Sequence, residues 1–133
     1  MDKFDHTKAI FVFGSNEAGL HGAGAARFAL DKRGAVLRQP FGLQGQSYAI
    51  PTKDASIRHA LPLERIQKYV DIFKLFAESR PDLQFQVTRI GCGLAGLRDE
   101  DIAPMFSGHP ENCWFDTAWH RYLGDDMKDW GTF

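Results

Sequence analysis

Short apolar runs alternate along this chain with longer stretches of helical periodicity. Ala9 to Phe13 is an unbroken apolar run halted by Gly14 and reads as a buried strand. Gly22 to Lys32 is alanine-rich and predicts a helix ending near Gly34. Arg38 to Gln46, punctuated by Pro40, Gly42 and Gly45, reads as a loop. Ser47 to Pro51 reads as a second strand and Ala55 to Leu61 as a connecting loop. The strongest periodic signal runs from Leu63 to Glu78. There Leu63, Ile66, Tyr69, Val70, Phe73, Phe76 and Ala77 recur at helical spacing, with Pro62 at the first helical position and Pro81 just past the end. Gln84 to Ile90 alternates Phe85, Val87 and Arg89 against Gln84, Gln86 and Thr88, a further strand. Asp99 suits the cap of a short helix reaching Phe106, with Pro104 within or near its first turns. Cys113 to Phe115 is a last strand, and residues 117 to 133, with Trp119, Tyr122, Trp130 and Phe133 among charges, are expected to dock on the domain. Strands alternating with helices predict an α/β fold with parallel pairs, one domain over 1–133 with its core at about 9–116.

Two glycine-rich loops leave strands in this pattern. The first spans Phe11-Val-Phe-Gly-Ser-Asn-Glu-Ala-Gly-Leu-His-Gly-Ala-Gly24 and the second Val87-Thr-Arg-Ile-Gly-Cys-Gly-Leu-Ala-Gly96. Each is expected to lead into a helix. A strand, a glycine turn and a helix N-terminus make an anion site, because free N–H groups and the helix dipole converge there. Two such loops suggest a ligand with two negative groups. In parallel sheets ligands sit beyond the carboxyl ends of the strands, and both loops and Pro51-Thr-Lys-Asp54 occupy that edge. In the first loop Gly19, Gly22 and Gly24 do not fit GxGxxG, and no GxxxxGK[ST] is present.

Composition narrows the classes. The 133 residues are 44% hydrophobic and 25% charged, an ordinary globular balance. A net charge of −1 argues against a strongly basic platform for duplex nucleic acid, while a single strand or one flipped base stays open. No apolar run has the length of a membrane span, and the charged start with Asp2, Lys3 and Asp5 lacks a signal-peptide core. Cys92 and Cys113 form neither a CxxC pair nor a metal cluster, so a cytoplasmic protein with two reduced thiols is expected. His6, His21, His59, His109 and His120 lack metal-ligand spacing, and no metal or cofactor is implied.

Candidate chemistry falls on a few residues. The amide of Asn16, just past the first strand, can hydrogen-bond a sugar hydroxyl in either direction, or simply shape a turn. Gly91, Gly93 and Gly96 allow close approach of the backbone to a phosphate, and each N–H to a charged oxygen contributes roughly 1.5–3 kcal/mol. Cys92 reads as a small buried residue rather than a nucleophile, since no histidine stands in a recognisable partner position. Lys53 has two readings. It is a solvated lysine paired with Asp54, or, where burial or a second cation frees its amine, a nucleophile for a sugar carbon. Asp99, Glu100 and Asp101 are explained by a capped helix N-terminus.

Taken in order, these segments resemble the macro domain, an ADP-ribose-binding family. Phe11-Val-Phe-Gly-Ser-Asn16, His21-Gly-Ala-Gly-Ala-Ala-Arg-Phe-Ala29 and Arg89-Ile-Gly-Cys-Gly-Leu-Ala-Gly-Leu97 carry the likeness over roughly residues 9 to 116. Tyr48-Ala-Ile-Pro-Thr-Lys53 and the RIGCGL segment are most similar to the branch of the terminal ADP-ribose protein glycohydrolase and of the antitoxin that removes ADP-ribose from DNA bases. The resemblance implies a three-layer α/β/α sandwich around a mixed, mostly parallel sheet, and a hydrolase releasing ADP-ribose from a nucleobase or protein side chain. It implies Lys53 as nucleophile, Asn16 at the distal ribose, and Gly22, Ala23, Gly24, Gly91, Cys92, Gly93, Leu94 and Ala95 at the diphosphate. Ala95 stands where the protein glycohydrolase has an aspartate, and the second loop carries no aromatic. Ala95 keeps in view a module that holds ADP-ribose or a related nucleotide without cutting it, and the aromatic tail after Thr117 a macro-like scaffold drifted to another ligand or to partner binding.

Overall fold

A computed structural model describes residues 3–133; Asp2, part of the charged start, lies outside them. The strands are β1 (Ile10–Asn16), β2 (Gly42–Gln44), β3 (Ser47–Lys53), β4 (Phe85–Val87), β5 (Cys113–Asp116) and β6 (Asp129–Gly131). The helices are α1 (Gly24–Lys32), α2 (Leu63–Ser79), α3 (Asp99–Ile102) and α4 (His120–Leu123). All six strands join one sheet in the order β2-β3-β1-β4-β5-β6. Only β2 runs antiparallel to its neighbour; β3, β1, β4, β5 and β6 pair in parallel. The fold is therefore α/β with a mixed, mostly parallel sheet.

Alternation along β1 explains how the sheet is held. Ile10 and Val12 join the larger apolar cluster, with Ile66, Val70, Phe73 and Ala77 of α2 and with Phe106 and Trp119. Phe11 and Phe13 point the other way and meet Ala26 and Ala29 of α1. Both faces of the strands are thus covered, which is why Gln86 and Thr88 are buried although they fall on the polar side of the expected alternation. The buried stripe of α2 is the one its periodicity predicts. Pro62 sits at its cap, one position before the first helical residue.

Several boundaries differ from the expectations. Gly14 does not halt β1, which continues to Asn16. A Cβ at Gly14 would stand 2.9 Å from the backbone nitrogen of Gly91, so the glycine is a close-approach residue inside a strand. Pro51 does not end β3 either. β2 pairs only with Ser47–Ala49, so the missing N–H of Pro51 costs no bond on that side. The expected loop at 38–46 contains β2, which turns into β3 through Gly45–Gln46, Gly45 at φ +60°. Helix α1 begins at Gly24 rather than Gly22. The expected helix at 99–106 splits into α3 and a 3-10 turn over Ala103–Phe106, because Pro104 has no N–H to continue the ladder. Asp99 does not cap it: the cap residue is Arg98, without a side-chain bond. The terminal segment does more than dock. It supplies Trp119 to the core, α4, and β6 as a sixth strand. Among the described residues no helix is long and apolar enough to cross a membrane.

Candidate functional site

The carboxyl ends of β3, β1, β4 and β5 open onto a cleft of about 390 Å³, a volume that suits a small-molecule ligand. Both glycine loops line it, as do Lys53 and Asn16. Asn16, Gly22, Ala23, Gly24, Lys53, Gly91, Cys92, Gly93, Leu94 and Ala95, all expected at a site from the sequence, lie on this one cleft, while Gly96 does not line it.

Lys53 and Asn16 are brought side by side by a register shift. Ser15 pairs with Pro51, then Asn16 pairs with Lys53, skipping Thr52. Such an irregularity re-aims side chains at a strand end. Thr52, buried, donates its hydroxyl to the Ser15 carbonyl at 3.2 Å and ties the shifted strands together. Lys53 is half-buried and forms no ion pair among the described residues. The expected partner, Asp54, is turned away and accepts from the Ser56 hydroxyl at 2.5 Å and the Ser56 N–H at 3.0 Å. Asn16 spends its amide on the loop itself. Its Nδ2 donates to the Leu20 carbonyl at 2.7 Å, and its Oδ1 accepts from the N–H groups of Leu20 and Ala18. The turn reading of Asn16 is thus realised, with the side chain still bordering the cleft.

The two loops offer backbone donors. Among the described residues, the N–H groups of Gly22, Ala23 and Gly24 on one loop, and of Gly93, Leu94 and Ala95 on the other, donate to no protein acceptor. The first loop ends at the start of α1, whose cap residue Ala23 has no side-chain oxygen to satisfy that turn. The second does not lead directly into a helix. It folds on itself through Cys92 N–H to Arg89, Gly96 N–H to Gly93 and Leu97 N–H to Gly91. The four-residue α3 follows with Asp99, Glu100 and Asp101 in its first turn, a poor setting for an anion. The loops meet at two places. Gly14 and Gly91 touch at the floor, and Leu94 lies over Gly24, its Cδ1 3.3 Å from where a Cβ would be. A methyl at Gly14 would wedge the floor apart, so Gly14→Ala is expected to cost about 1–3 kcal/mol in a denaturant melt.

The second loop has a buttress that the sequence did not reveal. Arg89 forms a two-pronged pair with Asp99, at 2.7 and 2.5 Å. The indole Nε1 of buried Trp119 donates to the same carboxylate at 2.7 Å. The Arg89 guanidinium holds the Asp99 carboxyl down at about 2, against the opposing effect of burial. The same pair holds Arg89 still more firmly protonated. Burial pushes the Cys92 thiol up to about 12, with the Asp99 charge adding to it, so the thiol keeps its proton at neutral pH and is no nucleophile. Cys113, also free, is buried and raised to about 12 as well.

Sequence reasoning also missed Thr88, Asp116, Ile57 and Phe133 on the cleft. Thr88 and Asp116 stand at or just past strand ends, the positions the edge rule for parallel sheets would have flagged. The Asp116 carboxylate is occupied: it accepts from Ala118 N–H, from the Thr132 hydroxyl at 2.9 Å and from Phe133 N–H. It thereby holds Phe133 against Phe11 and Phe28 at the cleft border. No group of three or more His, Cys, Asp and Glu arranged for a metal occurs among the described residues.

No family model matches the chain. It is similar to segments of aspartate–tRNA ligases. That of Flavobacterium psychrophilum is 34% identical over 67 residues, 49% of this chain and 12% of the ligase. That of Parabacteroides distasonis is 32% identical over 98 residues, 66% of this chain and 17% of the ligase. The chain thus spans 12% to 17% of the length of these curated relatives. Among solved structures, a Bacteroides thetaiotaomicron protein of unknown function covers 74% of this chain, and 78% of its own, at 18% identity and a TM-score of 0.52, a likeness of fold alone.

Proposed function

We propose that the cleft binds the diphosphate of ADP-ribose, and that the protein is a macro-like ADP-ribosyl hydrolase built as a three-layer α/β/α sandwich. The observation that carries this reading concerns Gly22 and Gly93, one on each loop. Neither has a left-handed φ, and a Cβ on either would meet nothing within 4 Å. The fold does not require glycine at these two positions; a ligand approaching the backbone does. The unpaired N–H groups beside them suit phosphate oxygens, and the paired α1 and α2 faces fit the sandwich.

Lys53 carries the chemistry. The nitrogen lone pair of its amine attacks the anomeric carbon of the distal ribose. The bond to the modified base or side chain breaks, and the leaving group takes the electron pair and the proton the amine gives up. Water then adds hydroxyl to that carbon and returns its proton to Nζ, releasing ADP-ribose.

Calorimetry with ADP-ribose tests the binding half. Gly22→Ala and Gly93→Ala are expected to melt like wild type, or to gain up to about 1 kcal/mol, yet to bind at least about tenfold more weakly. Unchanged affinity in both would remove the diphosphate from these loops.

One observation favours a second reading, a module that holds its ligand without cutting it. Ala95 brings no carboxylate to the second loop, and that of Asp116 is taken up by the terminal segment. The likeness to segments of aspartate–tRNA ligases supports the same reading, since a part of a tRNA-acting enzyme has an RNA ligand at hand.

A further inference from the structure

Ile57 stands in a backbone conformation that its side chain opposes. Its φ is +59°, in the left-handed region, where a branched Cβ crowds the backbone. Glycine or asparagine adopts that conformation at far lower cost. The loop around it is tightly tied. Asp54 N–H donates to His59, Ile57 N–H to Asp54, and Arg58 N–H to the Ser56 hydroxyl, while Lys53 and Ala60 bridge across its base. The strain is therefore locked in by the loop. It is not repaid by the core: Ile57 belongs to neither apolar cluster and is 43% exposed. What Ile57 does line is the cleft whose rim also holds Lys53 at the end of β3. A costly residue that serves a cleft and not the core points to the ligand.

We infer that Ile57 is a specificity-determining residue: it forms the apolar wall beside Lys53 against which the distal sugar of a nucleoside-diphosphate sugar rests. The inference builds on the proposed ADP-ribose site and adds which part of the ligand this wall reads. The diphosphate is held elsewhere, by the two loops, so a ligand lacking the distal sugar does not meet Ile57.

The test compares ADP-ribose with ADP by calorimetry, using wild type, Ile57→Asn and Ile57→Gly. Ile57→Asn is expected to melt at or above the wild-type temperature, because the strain is relieved. Both variants are expected to bind ADP-ribose about tenfold more weakly and ADP as wild type does. Equal loss for both ligands, or no loss for either, overturns the inference while leaving the ADP-ribose site intact. An Ile57→Asn protein that melts well below wild type also overturns it, since the isoleucine would then be serving the fold. Wild-type protein that binds neither ligand overturns the ADP-ribose reading itself, and the inference with it.

Discussion

Lys53→Ala protein is expected to bind ADP-ribose within about threefold of wild type and to release it from a modified macromolecule on the order of a thousandfold more slowly. The lysine is half-buried at the end of β3 and ion-paired to nothing among the described residues, so truncation breaks no ion pair. Stability should move by no more than about 0.5 kcal/mol. In the proposed site the diphosphate is gripped by backbone N–H groups, which the substitution leaves alone. Loss of the nucleophile therefore falls on turnover and not on affinity. Single-turnover assays on ADP-ribosylated DNA and ADP-ribosylated protein measure the first, calorimetry the second. Mass spectrometry of acid-quenched wild type should find ADP-ribose attached to Lys53. Equal turnover by wild type and Lys53→Ala would end the lysine's assigned role. Tight binding with no turnover in wild type would establish the holding module instead.

Asp99→Ala should be strongly destabilising, at about 3 kcal/mol. It leaves the indole N–H of Trp119 buried without an acceptor and sets Arg89 free at the cleft. Asp99→Asn, which can still accept from Trp119, should cost less. The pair also predicts a pH dependence. The Asp99 carboxyl is held at about 2 in the folded protein, below its ordinary 3.8, so folding favours the ionised form. That contribution, about 2 kcal/mol, is complete above pH 4 or so and disappears as pH falls toward 2. Urea melts between about pH 5 and pH 2 should show wild type losing this stability and Asp99→Ala losing less over the same window. Identical slopes for the two proteins would mean that the carboxylate is not held as the geometry implies. Because Arg89 borders the cleft, ADP-ribose affinity should weaken in Asp99→Ala along with stability.

Much of this was legible in the residues. The periodicity from Leu63 to Glu78 specified α2 and its buried stripe, because an amphipathic helix needs only local spacing to declare its face. Apolar runs marked β1, β3 and β5, and the edge rule put both glycine loops, Asn16 and Lys53 at one end of the sheet. What failed were judgements that treated glycine and proline as punctuation. Gly14, Pro51 and Gly42 all lie inside strands, and the reason for each is a neighbour distant in sequence: Gly91 for the first, the short span of β2 for the second, and pairing with Ala49 for the third.

The sequence by itself determined that this is an α/β chain with two donor-rich loops and a lysine on one edge, since those features depend on local spacing and residue type. Only the tertiary structure decided the rest. It decided that Asn16 and Lys53 are register partners, because a strand slip of one residue has no local signature. It decided that Asp99 braces Arg89 and Trp119 rather than capping a helix, because a carboxylate goes to the strongest donors that folding brings within reach. It separated the glycines that the fold needs from the two, Gly22 and Gly93, that combine open space with the absence of a left-handed φ, because only the folded backbone and its packed neighbours can show whether a missing side chain serves a turn, a close approach or a ligand.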